Sequence, residues 1–215
     1  RDPEMSRGLG DVYKRQGYVT GTQKLTITAK AYGINTASDS KEYDGTPLTN
    51  KNAEVAGLVA KDTAYVEGTG EITDKGEVPN SAGDVNWASG TDERNYIHDT
   101  SLDGIGVLTV TAKKIDPTPT PTPEDPDAVE HKLTLQGLEN VTYNGSSQPQ
   151  HEKIVVKDGD KKLVEGKDYE LRWSSDTTNV GTVRVTVVGK GNYDGEDWAE
   201  YQIMHLSLIH ISEPT

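Results

Sequence analysis

The side chains best suited to chemistry in this chain are its histidines, and four of them, His98, His131, His151 and His205, lie in its main body. They stand alone. No two are spaced four apart, and no His-Glu-x-x-His is present, so the helical zinc-protease pattern is absent. Serines are plentiful, but no Gly-x-Ser-x-Gly elbow accompanies them. A Ser-His-Asp triad assembles in space, so sequence alone leaves that arrangement open. The chain has no cysteine, which excludes disulfides, thiol catalysis and cysteine-ligated zinc. Carboxylates gather twice in turn-like stretches, at Asp158-Gly159-Asp160 and at Asp194-Gly195-Glu196-Asp197. Such oxygen-rich turns suit a hard cation such as calcium. Neither fits an EF-hand, and Asp158 and Asp160 read first as a hairpin turn and second as metal ligands. Acidic residues are too common for any pair to mark a glycosidase. Gly189-Lys190-Gly191-Asn192 lacks the Gly-Lys-Ser/Thr order of a phosphate loop and reads as a turn. No residue is assigned a catalytic role, and no cofactor is implied.

The large aromatic side chains are the remaining candidates. Exposed rings can stack on sugars, and Trp198, beside an acidic turn, is the most ligand-like of them. Phe is absent, so Tyr and Trp must also supply the bulk of any core. Tyr43 and Tyr143 each head a turn, Tyr43-Asp44-Gly45 and Tyr143-Asn144-Gly145, and are read as structural packing.

Those side chains would be carried on strands. KLTITA at 24–29, GVLTVTA at 106–112 and TVRVTVV at 182–188 alternate with the period of half-buried strands. Residues 131–135, 153–157, 169–173 and 198–203 read the same way, and 52–59 reads as a short helical turn. Gly, Asn and Asp clusters separate them, supplying the positive φ angles of tight turns. The expected class is all-β, with β-sandwich architecture. Between the two strand-rich parts lies DPTPTPTPEDPD, 116–127. Alternating Pro and Thr favours an extended polyproline form, so this segment is expected to be a semi-rigid spacer reaching up to about 35 Å. The formal net charge of −13 disfavours nucleic acid and anionic membrane surfaces as partners.

Internal repetition is the strongest signal. LTITAK at 25–30 recurs as LTVTAK at 108–113. A second, looser repeat spans the proline segment: Tyr43-Asp44-Gly45 matches Tyr143-Asn144-Gly145, Asn80 to Gly83 matches Asn179 to Gly181, and Asn95-Tyr96 matches Asn192-Tyr193. Turn motifs at equivalent places are the expected structural signature.

Both ends look foreign to this pattern. DVYKRQ, at 11–16, is what GATGTGTATAAGAGACAG encodes, and 6–16 as a whole resembles a transposase-type sequencing adaptor read as codons. LSLIHISEPT, 206–215, resembles the reverse complement of the same adaptor. Residues 1–16 and 206–215 are therefore expected to be artefact and poorly packed. The expected organisation is then 17–30 as the last strand of an upstream repeat, 31–115 as the first domain, 116–127 as linker and 128–205 as the second domain. The parent protein is expected to continue past both ends.

KEYDGTPLT with its later Asn-Tyr and closing LTVTAK resembles the Tyr-Asp-Gly-type Ig-like repeats of Firmicutes surface adhesins. VTYNGSSQP, EGKDYELRW, GKGNYDG and AEYQI resemble the related MBG-type repeat. The resemblance implies two Ig-like β-sandwich domains in tandem. It implies a secreted, cell-wall-attached protein of a Gram-positive surface, acting as a stalk and adhesion segment and not as an enzyme. The expected partners are host or neighbouring-cell glycans or proteins, with no nucleic acid, no membrane insertion and a monomeric segment. A carbohydrate-binding module and an accessory part of a large extracellular hydrolase are the alternatives. The first of these predicts a contiguous exposed patch of aromatics on one sheet or loop end, and loses its basis if Trp87, Trp173 and Trp198 are all buried. Such domains sometimes join Lys to Asn through an isopeptide bond, which the abundance of both residues leaves open.

Overall fold

A computed structural model of the chain describes residues 26–205. The adaptor-like segments, and Lys24 and Leu25 of the first expected strand, lie outside these residues. The fold is all-β: many short strands in several small sheets, with three single-turn 3-10 segments and no α-helix among the described residues.

In the first half the strand Val107–Thr111 is central. It runs antiparallel to Gly76–Pro79 and parallel to Asp39–Glu42. Its alternation sends Leu108 and Val110 inward, at 0% and 1% exposure. A second sheet places Lys30–Thr36 between Ala53–Ala56, antiparallel, and Tyr96–His98, parallel. In the second half the long strand Gly181–Gly189 lies between Tyr169–Trp173 and Glu196–Met204, and the latter pairs in parallel with Val141–Thr142. Val183, Val185 and Val187 line one face at no more than 1% exposure. Each such valine stabilises the fold by about 1.5–3 kcal/mol relative to an exposed one.

The two halves share a register. In each, a strand parallel to the last strand ends one residue before a tyrosine: Glu42 opposes Thr111 ahead of Tyr43, and Thr142 opposes Met204 ahead of Tyr143. In each, the antiparallel neighbour opens on a glycine of positive φ, Gly76 at 154° opposite Val110 and Gly181 at 151° opposite Ile203. In each, an Asn-Tyr pair meets a lysine-led strand in parallel, Tyr96 with Lys30 and Tyr193 with Lys113. One sequence landmark does not fit this register. Asn80 is wholly buried, whereas Asn179 sits in an exposed turn with Asp176.

The proline segment departs from the spacer expected of it. Thr118–Pro119 pairs antiparallel with Val129–Glu130, Thr120 N–H donates to Ala128 O, and Thr122 N–H donates to Asp125 O. The chain thus goes out and returns. Lys113–Lys114, before this excursion, already pairs with Tyr193–Asp194 of the second half, and Thr134–Gln136, after it, pairs with Val155–Asp158. The excursion interrupts what is one continuous strand, Lys30–Thr36, in the first half. Pro119 has no N–H to give, which restricts such residues to sheet edges, and a two-stranded ribbon is all edge.

Three further expectations are corrected. Residues 52–59 contain the strand Ala53–Ala56 instead of a helical turn, since pairing with Lys30–Thr36 gives their backbone a ladder that one isolated turn cannot. Residues 26–29 form no strand, and Ile27 is 96% exposed; among the described residues no strand pairs with them. The strand expected at 131–135 is broken into Val129–Glu130 and Thr134–Gln136. The Asp197 carboxylate takes the N–H groups of Lys132 and Leu133 out of any ladder, at 2.8 Å each.

Candidate functional site

The most developed constellation is the junction between the halves. One apolar cluster runs through it: Tyr43, Leu48, Leu108 and Val110 come from the first half, and Leu133, Val156, Leu163, Tyr169, Val187 and Tyr193 from the second. Ile115, 1% exposed, belongs to the same cluster, just after the ladder of Lys113–Lys114. The ring of Tyr43 meets Tyr193 edge-on at 5.7 Å, a geometry that adds about 0.5–1.5 kcal/mol to simple burial. Lys161, from the hairpin after Val155–Asp158, donates to Tyr43 Oη at 2.8 Å and lies over both rings.

Polar groups complete the seam. The Asn192 side chain accepts from Lys75 N–H at 2.7 Å and donates to Asp74 at 2.7 Å, while its carbonyl accepts from Lys113 N–H. Lys113 Nζ reaches both oxygens of Asp158, at 2.6 and 2.7 Å, and Tyr193 Oη donates to the same carboxylate. Lys114 pairs with Asp194 and holds that carboxyl below its ordinary range. Burial pushes the Tyr193 phenol up, so it stays neutral.

Several residues singled out in the sequence therefore meet here. Tyr43, Asn192 and Tyr193 lie in the seam itself. Asp44 and Gly45 form the adjoining turn, where Asp44 takes Lys41 Nζ at 2.8 Å and Gly45 has φ 81°. Asp158 faces an ammonium, which occupies the place a cation ligand set would need, and Asp160 is exposed at the tip of a hairpin in which Lys157 opposes Lys162. Tyr143, Asn144 and Gly145 lie in the equivalent turn of the second half, away from the seam.

The other acidic stretch diverges. Asp194 faces Lys114, Glu196 faces Arg172 at 3.2 Å, and Asp197 turns inward to 0% exposure. There Asp197 accepts from Lys132, Leu133 and Trp198 N–H groups and lies 2.5 Å from His131 Nδ1. His98, His131 and His151 each pair with a carboxylate, of Asp103, Asp197 and Glu165. No serine hydroxyl is a partner of these three among the described residues; His205 is exposed.

The tryptophans are dispersed. Trp173 opposes Val185 and shares its core-facing side, while Trp198 opposes Thr186 on the other face of that sheet. Trp198 is covered by the Arg184 guanidinium at 4.0 Å and by the His131 edge. Trp87 belongs to the first half, stacked on Tyr96 at 5.3 Å and edge-on to Tyr32, which in turn stacks on His98. Tyr32, Trp87 and His98, with Asp84 and Asp103, line an open concavity of about 670 Å³. The buried asparagines face no lysine ammonium: Asn80 bonds Gly70 N–H and the carbonyls of Ala37 and Asn50, and Asn192 bonds the groups already named.

No family model matches the chain, and no curated protein is found similar to it. The seam residues that sequence reasoning missed include Asp74, Lys75, Lys114, Lys161, Leu163 and Ile115. The only signal for them lay in Ile115, the lone large apolar residue between a lysine pair and a run of prolines.

Proposed function

We propose that this chain is a structural segment of a secreted, wall-attached Gram-positive surface protein. In this reading two Ig-like β-sandwich repeats act as a rigid stalk and adhesion unit. The observation that carries it is the apolar cluster shared across the repeats, from Tyr43 and Leu108 through Ile115 to Tyr193. Ordinary interdomain contacts are smaller and more polar, and permit relative motion. A shared core resists bending, which suits a module that must hold a binding end away from a wall. The acidic charge and the adhesin-like repeat motifs agree with an extracellular setting. In cells carrying the parent gene, an antibody raised against this chain should label the intact surface and the wall fraction. Labelling that requires lysis would refute the reading.

One observation favours a second role within the same setting. The concavity around Tyr32, Trp87 and His98 offers rings beside the carboxylates of Asp84 and Asp103, a combination suited to a neutral sugar. The net negative charge of the chain disfavours acidic glycans. Titration with neutral oligosaccharides should perturb the Trp87 indole resonance and release heat in calorimetry, and Trp87→Ala should abolish the heat.

A further inference from the structure

The turns at Tyr43 and Tyr143 are the same device in two different surroundings. Tyr43 N–H donates to Thr111 O and Tyr143 N–H donates to Met204 O, both at 2.8 Å. Each turn ends on a glycine in the left-handed region, Gly45 at φ 81° and Gly145 at 78°, which a side chain would strain. Each phenol oxygen folds over its own glycine, 3.9 and 4.0 Å from where a Cβ would stand. The pose is shared, yet Tyr43 is 8% exposed and Tyr143 is 44% exposed. The difference comes from the second repeat, whose Tyr193 ring and Lys161 ammonium cover Tyr43. Among the described residues no ring or ammonium does this for Tyr143.

Two neighbours extend the uncovered surface. Met204 opposes Thr142, and Val180 precedes Gly181, which opposes Ile203, so Tyr143, Met204 and Val180 lie at one end of one sheet. Met204 is 42% and Val180 40% exposed. In the shared register Val180 holds the position of Lys75, whose N–H is taken by Asn192 at the existing junction. The opposite end of the molecule shows the reciprocal difference: Asn192 is 8% exposed, and its counterpart Asn95 is exposed. An interface between unlike ends, repeated with the same hand, builds an open array.

We propose that Tyr143, Met204 and Val180 form a docking surface for the leading end of a further repeat of this type, which would present an Asn-Tyr pair and a lysine as Asn192, Tyr193 and Lys161 do. The inference rests on the stalk reading, because it takes the observed junction as the unit that recurs.

The test is the chain carried to His205 and continued directly by a second copy of residues 113–205 in which Tyr143→Phe removes the duplicate ring and gives its peptide a distinct mass. Hydroxyl-radical footprinting would then compare Tyr143 with Tyr43 by mass spectrometry. The expected result is a roughly fivefold fall in Tyr143 reactivity on extension, toward that of Tyr43, as the exposures of 44% and 8% imply. Asn192→Ala with Lys161→Ala in the added copy alone should restore reactivity, with near-ultraviolet dichroism showing that the copy remains folded. Tyr143 unchanged on extension, while Tyr43 stays protected, would overturn the proposal. Protection that survives the double substitution in a folded copy would overturn it too. Protection of Tyr143 by a neutral oligosaccharide but not by the added copy would assign the surface to a sugar instead. If Tyr43 were as reactive as Tyr143 in the unextended chain, the junction itself would fail, and the stalk reading with it.

Discussion

Ile115→Ala probes the junction at its centre. The side chain is 1% exposed and packs in the cluster that joins the halves. Truncating a buried isoleucine to alanine costs about 2–5 kcal/mol, combining lost transfer energy with the cavity left behind. Ile115 is held on both sides of the seam and has little room to collapse, so the expected cost is about 3 kcal/mol. At about 2–4 °C per kcal/mol for a domain of this size, the melting temperature should fall by about 6–12 °C. Urea unfolding followed by tryptophan fluorescence measures the cost, and calorimetry measures the temperature. Because both halves share the cluster, both should unfold earlier. The matched control is Ile105→Ala, at 42% exposure, where a change within about 0.5 kcal/mol is expected. An Ile115→Ala effect no larger than that of Ile105→Ala would refute the shared core.

Further outcomes follow from other sites. Asn80→Ala strands the Gly70 N–H and the carbonyls of Ala37 and Asn50 in a fully buried place, and should cost at least about 2 kcal/mol in urea unfolding. Replacing residues 120–127 with Asn-Gly shortens the proline excursion without touching the strands it interrupts. Loop closure changes little with length, so stability should shift by under about 1 kcal/mol, and the scattering-derived separation of the halves should not change. Burial raises the Tyr201 phenol above its ordinary value of 10.0. A raised folded-state value means stability is whole below pH about 10 and is lost as pH rises through the folded value. Tyr201→Phe should therefore flatten the alkaline fall in the urea midpoint, at the cost of the bond to Gln148 O.

The strands were legible wherever alternation was local. Val183, Val185 and Val187 announce one buried face, and the structure extends that strand by one residue at each end. The Tyr-Asp-Gly and Tyr-Asn-Gly turns were equally plain, because glycine at positive φ is a local demand. The proline excursion was not. Its composition sets a stiff local conformation, but whether Thr118 meets Glu130 depends on what brackets it, and Lys113–Lys114 is anchored by residues some eighty positions away. The burial of Asp197, which in sequence belongs to an acidic turn, was hidden for a related reason: a carboxylate is buried only when N–H groups from elsewhere receive it, here those of Lys132 and Leu133. The junction depends on Asp74, Lys75 and Lys161, polar residues whose sequence neighbourhoods resemble any solvated turn.

Residual dipolar couplings of backbone amides in the intact chain test the central claim most directly. With the core continuous from Leu108 through Ile115 to Val187, couplings from 30–111 and from 131–204 should fit one alignment tensor. Separate tensors of different magnitude for the two segments would contradict a rigid joint.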